Sequence, residues 1–318
     1  MTTAPLTGGR PGPSTAELAR SIRRGKPRYG ERAVETVLAL AAFLSVLTTI
    51  GIVLSLFNGT WDFFQQVRVR EFLFGTVWTP LFADPSYGVL PIVGATLLVT
   101  GIAILVAMPL GLGAALYLSE YASPRARKVL KPVLEVLAGI PTVVFGFFAL
   151  SFVTPNVLRL FFDGIGVFNA LSAGLVIGIL IIPIIASLSE DALSSVPQSM
   201  RDGALALGAT RTNVARKVVL PAALSGVIAS FVLGLSRAIG ETMVVVIAAG
   251  SLAQLSIDPT QPMQTMTAFI AQAAAGDRPA GSVGYNALFA VGALLFVITL
   301  VVNVISIRLV RRYREVYE

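Results

Sequence analysis

Apolar residues run in six uninterrupted stretches along the chain, at about 33–57, 89–118, 133–153, 170–188, 222–249 and 285–307. None alternates with the two-residue period of a barrel strand. A helix rising about 1.5 Å per residue needs about 20 residues to cross a hydrocarbon core about 30 Å thick, and each stretch has that length. Lipid offers the backbone no hydrogen-bond partner, so each block is predicted to be a helix that satisfies its own amides. The pattern predicts an all-α integral membrane protein with six transmembrane helices. The second block holds Pro91 and Pro109 and is expected to be tilted or kinked. Pro109, Pro141 and Pro183 mark either bends that let helices rock or static bends.

Composition agrees. Hydrophobic residues make up 55% of 318 residues and charged residues 13%, against about 25% charged in soluble domains. Such a chain cannot cover its own surface in water, which excludes a soluble enzyme, and most of its length is too apolar for disorder. The net charge of +7 is unevenly spread. Nineteen basic residues fall in the N-terminal tail, the 119–132 loop, the 189–221 loop and the C-terminal end, against four in the alternate loops. That bias predicts both termini in the cytoplasm and marks a membrane side rather than nucleic-acid binding. The first apolar run begins only at Ala33 and lacks a small-residue cleavage site, so it is expected to stay as a helix. The expected organisation is a disordered basic cytoplasmic tail over 1–32, a six-helix transmembrane domain over 33–310 and a cytoplasmic C-terminal tail over 311–318. The first tail either touches anionic lipid or is a solvated leader.

Candidate chemistry is sparse. There is no cysteine or histidine, hence no nucleophile–base set and no metal cluster of the usual ligands. The only Gly-Lys pair, Gly25-Lys26, runs into Pro27, so no phosphate-cradling loop exists and no cofactor is expected on this chain. Gly174 and Gly178 form a small-xxx-small pair suited to close helix packing. Two ionisable residues fall in the fifth stretch, Arg237 and Glu241. An Arg at mid-membrane costs about 2.5–3.5 kcal/mol on insertion scales and usually faces a cavity or partner. At i and i+4 on one helical face, the two either form an internal ion pair or line an anion path, where the guanidinium fork matches a tetrahedral oxyanion and Glu241 orients it. Glu135 is read as structural, snorkelling or paired with Lys131.

The loop from Glu190 to Pro221 carries the strongest signal. Pro197 opens a short helix in which Met200, Ala204 and Leu207 recur at i, i+4 and i+7 as an apolar face, opposite Arg201 and Asp202. Gly208 ends it, and a second amphipathic run over 211–218 leads to Leu220-Pro221. Two short helices at right angles would make a knob that either docks into a groove on a cytoplasmic partner or lies on the headgroups.

Gly208, nine residues, then Val218-x-Leu220-Pro221 resembles the ABC importer permeases, in which this loop docks on the ATPase. The family's Glu-Ala-Ala stands here as Asp202-Gly203-Ala204. Pro109-Leu-Gly111-x-Gly113-Ala-Ala-Leu-Tyr117-Leu-Ser-Glu120-Tyr121, Glu135-Val-Leu-Ala-Gly139-Ile-Pro141-Thr-Val-Val-Phe-Gly146 and Ser236-Arg237-Ala-Ile-Gly240-Glu241-Thr242 are similar to the phosphate-importer permeases. Phe72-Leu-Phe-Gly-Thr-Val-Trp78-Thr-Pro80 followed by Tyr87-Gly88 resembles their PstC type. The resemblance implies a type I ABC importer permease fold in the bacterial inner membrane. It implies half of a phosphate path, with Arg237 and Glu241 tied to translocation and Arg201, Asp202, Gly203, Ala204, Leu207, Gly208, Leu220 and Pro221 in the coupling loop. The implied partners are a paralogous PstA-type permease, two PstB-type ATPases that hold ATP and Mg, and an external PstS-type phosphate-binding protein, with outside loops 58–88 and 251–284 as docking surfaces. Alternatives are another oxyanion (sulfate, molybdate, tungstate), a secondary anion transporter, or a regulatory membrane subunit.

Overall fold

A computed structural model of the chain describes residues 29–80, 82, 84–276, 279 and 281–312. The expected N-terminal tail lies outside the described residues as far as residue 28, and so do Arg278 and residues 313–318. Apart from one isolated bridge between Trp78 and Tyr87, the regular structure among the described residues is helical. By internal contacts the chain divides into two units, Met1–Ser55 and Leu56–Glu318.

In the first unit the described residues belong to helix α1 (Tyr29–Gln66), apolar along its length. Every side chain from 31 to 55 is exposed, with no polar stripe to turn towards water. An all-round apolar helix needs lipid or protein on every side.

The second unit holds the rest of α1, then α2 (Val69–Phe74), α3 (Leu90–Leu116, extended by a π-helical turn, Tyr117–Tyr121) and α4 (Pro124–Ala138). Next come α5 (Thr142–Phe148, continued as π-helix through Val157 and a 3₁₀ turn to Leu160), α6 (Ala170–Ser194), α7 (Gln198–Ala206) and α8 (Arg211–Val214, continued in helical form to Ala222). The last are α9 (Leu224–Gly240), α10 (Met243–Ala248), α11 (Met266–Ala275) and α12 (Val283–Arg312).

Helix α6 is the axis of the unit and packs along α3, α9 and α4. Its glycine pair brings it against α3. A Cβ at Gly174 would lie 2.8 Å from Ile102, and one at Gly178 would lie 2.9 Å from the carbonyl oxygen of Ala103. Without side chains there the backbones approach closely, and a buried core of Ala, Val, Ile and Leu closes around them.

Among the described residues five helices are long and apolar enough to cross a membrane, and the pair 211–222 and 224–240, bent by 73°, makes up to six. Two of the expected spans differ from the structure. The third stretch, 133–153, is not one helix: the chain breaks at Gly139–Pro141, and the apolar helix runs over Thr142–Leu160. Residues 133–138 belong instead to amphipathic α4, none of whose residues is buried. Ser123 caps that helix by accepting from Ala126 N at 3.2 Å, with Pro124 in its first turn. The fifth stretch, 222–249, is also interrupted, because α9 stops at Gly240 and Glu241 is extended. Of the three marked prolines, Pro109 and Pro183 lie within continuous helices, whereas Pro141 stands where a helix starts afresh.

The end of the unit where α3 and α6 begin has its own core. Phe63, Phe72, Trp78, Tyr87 and Phe269 meet edge to face, with ring centroids 4.8 to 6.5 Å apart. Gly75 and Gly88 touch backbone to backbone, where a Cβ on Gly88 would lie 2.3 Å from the carbonyl carbon of Gly75. The segment expected as a loop over 58–88 is therefore folded, beginning with the end of α1 and closing on the aromatic cluster.

Candidate permease site and coupling surface

The break in the fifth span positions the two charges. Because α9 ends at Gly240 and Glu241 takes φ −65° and ψ 132°, Arg237 and Glu241 do not share a helical face. No ion pair joins them among the described residues. Glu241 is 7% exposed and its Oε1 accepts from Val244 N at 3.4 Å, so it serves the start of α10. Its carbonyl accepts from Thr267 Oγ1 at 2.7 Å. In this structure Glu241 therefore does not orient Arg237, and its contacts lie at the break between α9 and α10. Arg237 is exposed and, among the described residues, makes no hydrogen bond or ion pair.

The break is held by α11, an element the sequence reading left in an outside loop. At ten residues it is too short to span. Thr265 caps it by accepting from Ala268 N at 3.2 Å, and Thr96 of α3 accepts from Met266 N at 3.0 Å. Gln264 donates to Gln272 at 2.7 Å, and Gln272 donates to Ser251 at 2.7 Å. The 251–265 segment supplies the carbonyls of Pro259 and Gln261 to the first amides of α6. Hydrogen bonds from Thr260 hold the nearby Asp258 carboxyl below its usual value. The Thr265 cap ahead of a short apolar run was the available signal for α11.

At the opposite end the 119–132 and 189–221 loops come together. Met200 and Ala204 of α7 pack on Leu193, Val196 and Val214, as an inward apolar face requires. Leu207 does not join them: the helix ends at Ala206 and Leu207 is 91% exposed. Arg201, expected on the polar face, turns inward. It donates to the carbonyls of Val196 (2.6 Å) and Leu193 (2.8 Å) and pairs with Glu120 at 3.1 Å. Asp202 stays exposed and accepts from Gln198 at 3.0 Å. Gly208 turns the chain with φ +83°, a left-handed conformation that favours glycine. The outward surface of the loop therefore presents Asp202, Gly203, Leu205, Leu207 and Gly208, while Leu220 is half-buried and Pro221 exposed at the end of the second helix.

Behind this surface Glu190 is fully buried at the end of α6. Arg127 and Lys131 of α4 clamp it, Lys131 at 2.8 Å, and Ser194 donates to it at 2.9 Å. Hydrogen bonds to Asp191 and Glu190 raise the Lys131 ammonium above its ordinary value. Lys131 is thus engaged with α6, and Glu135 is exposed rather than paired with it. Sequence reasoning missed Glu120, Arg127 and Glu190 as a set, because their partners lie 59 to 81 positions away.

The comparisons with known proteins agree with this architecture. Residues 107–315 match the family described as binding-protein-dependent transport system inner membrane component. The chain is 34% identical to the phosphate transport system permease protein PstC of Haemophilus influenzae over 94% of its length and 98% of the relative's. It is 40% identical to the probable ABC transporter permease protein YqgH of Bacillus subtilis over 72% of its length and 74% of the relative's. Among solved structures, a bacterial ABC transporter that imports the polysaccharide alginate superposes with a TM-score of 0.62 at 16% identity, over 90% of this chain and 99% of that one. The same transporter bound to its periplasmic protein gives 0.60 at 17% identity, over 90% and 98%. A multi-pass membrane protein with the ABC importer permease fold, this chain belongs to the binding-protein-dependent transport system inner membrane component family.

Proposed function

We propose that the chain is the permease subunit of an ATP-driven importer and forms half of a path for inorganic phosphate. Relatives about a third identical over most of the chain are phosphate transport permeases of the PstC type. The observation that carries the reading within this molecule is Arg237, an unpaired guanidinium on an apolar helix three residues before its break. An uncommitted planar fork at that depth suits a transient tetrahedral oxyanion. Phosphate repels a carboxylate, which fits Glu241 being buried in the break.

A paralogous PstA-type permease completes the path, a PstS-type binding protein delivers phosphate, and two PstB-type ATPases hold ATP and Mg. The eight basic residues of the 119–132 and 189–221 loops support a cytoplasmic coupling surface, with both termini on the same side. ATP-driven closure of the ATPases pushes on Leu207 and its neighbours and switches the path between inward- and outward-facing states. A second oxyanion remains the competing reading for substrate, since one Arg does not discriminate among tetrahedral anions.

Labelled phosphate uptake at limiting external phosphate tests this in a strain lacking the chain. Wild type restores uptake, and Arg237→Gln at equal membrane abundance does not. Restoration by both removes Arg237 from the path. Failure of wild type moves the substrate to another oxyanion.

A further inference from the structure

The coupling surface is anchored in a way that its own sequence does not announce. Arg201 ties α7 to two carbonyls at the end of α6 and to Glu120 in the π-helical turn that ends the second span. A few residues back along α6, Glu190 is clamped by Arg127 and Lys131 of α4, and Ser194 accepts from Arg127 at 2.8 Å while donating to Glu190. The two clusters share the last turn of α6. One guanidinium fork satisfies backbone and carboxylate together, and the buried carboxylate takes cations from a different helix, so neither contact can slide without exposing an unpaired group. The joined parts end at two interruptions. One is the 73° bend between 211–222 and 224–240, and the other is the break at Gly139–Pro141 between α4 and the third span.

We propose that Arg201 and Glu190 are positioning residues that weld α7, the adjoining ends of the second and fourth spans and α4 into one rigid transmission block. The block carries motion of the coupling surface to the third span through the Gly139–Pro141 break and to the fifth through the 73° bend. It needs the two latches because α7 and α4 bury no residue fully, so the partial packing of Met200 and Ala204 alone does not fix their orientation. The inference rests on the reading of the chain as an ATPase-driven permease, and is independent of which anion is carried.

The test uses the assembled importer in proteoliposomes. The chain has no cysteine, so introduced pairs report cleanly. Spin labels at Ser199→Cys on α7 and Glu135→Cys on α4 lie within the block, and both positions are exposed. Labels at Ser199→Cys and Leu160→Cys straddle the break. Between nucleotide-free and ATP-trapped states, the first distance stays fixed and the second shifts. A shift in the first, or no shift in the second, overturns the block. Glu120→Gln leaves Arg201 on its two carbonyls, and Arg201→Lys keeps the charge opposite Glu120. Each variant broadens the first distance and lowers the phosphate delivered per ATP hydrolysed by at least about fivefold, the lower range of a coupling free energy. For Glu120→Gln, which lies outside the coupling loop, ATP hydrolysis and membrane abundance stay within about twofold of wild type, because the residue positions rather than catalyses. A purely structural role would lower transport and hydrolysis together, and that result overturns the inference. Should wild type hydrolyse ATP and hold the predicted distances yet move no phosphate, the substrate reading falls and the block stands.

Discussion

The two ends of the second unit are held by different physics. At the end bearing α2 and α11, rings meet edge to face, glycine backbones touch, and threonine and glutamine hydroxyls and amides close the remaining gaps. At the opposite end α4 and α7 bury no residue fully, and long cationic side chains tie them in beside the apolar contacts of Met200 and Ala204. Aromatic and glycine packing is short-ranged and loses its energy at once when displaced, so it makes a fixed cap. Charged side chains with backbone acceptors hold orientation with little buried area. Both ends are polar-to-apolar boundaries, and the sequence treats them oppositely.

The contrast can be broken most severely at the coupling end. Replacing both Arg127 and Lys131 by Met leaves Glu190 buried without a cation, a loss of about 3–5 kcal/mol on the scale for broken buried pairs. Thermal unfolding in detergent should show a clearly lowered midpoint, and an unchanged midpoint would mean that water already satisfies Glu190. Gly88→Ala comes next. Its Cβ meets the Gly75 backbone at 2.3 Å, and neither side can turn away. The expected penalty is about 1–3 kcal/mol, read as lower membrane abundance at otherwise wild-type message levels.

The same substitution at the coupling end should do the reverse. A Cβ on Gly203 of α7 meets nothing within 4 Å, so Gly203→Ala is expected to stabilise by about 0.5–1 kcal/mol through helix propensity. A drop in stability would show that α7 is held more tightly than its exposure indicates. The smallest effect is expected for Trp78→Phe. Trp78 is buried in the cap and its Nε1 has no partner among the described residues. Losing an unsatisfied donor offsets the smaller ring, and the unfolding midpoint should stay close to wild type.

Much of the fold was legible in the residues. Length and apolarity located the second and sixth spans and the starts of the first and fourth to within a few residues, and Gly174 with Gly178 announced the α3–α6 contact, whereas the third and fifth stretches were misplaced by several residues at both ends. The errors came where a local signal had to outweigh an apolar run. Ser123-Pro124 and Gly139-Ile140-Pro141 carry the start of α4 and the break after it, yet apolar content alone joins 133–153 into one block. Within the coupling loop, the i, i+4, i+7 pattern placed Met200 and Ala204 correctly and misplaced Leu207, because α7 ends one residue earlier. Arg201 read as polar surface because a charge on a helix face has no visible address until its acceptors are near it.

The sequence by itself determined a helical membrane protein, the uneven spread of its basic residues, two short amphipathic helices between Glu190 and Pro221 and the presence of two charges in an apolar span. Those follow from composition and local periodicity, which act over tens of residues at most. Only the tertiary structure decided that Arg237 and Glu241 stand apart, that α11 enters at the break, and that Glu190 meets Lys131 while Arg201 meets Glu120. Each of those depends on which carbonyl, carboxylate or hydroxyl a distant segment brings within about 3 Å, and no pattern local to the residue encodes that distance.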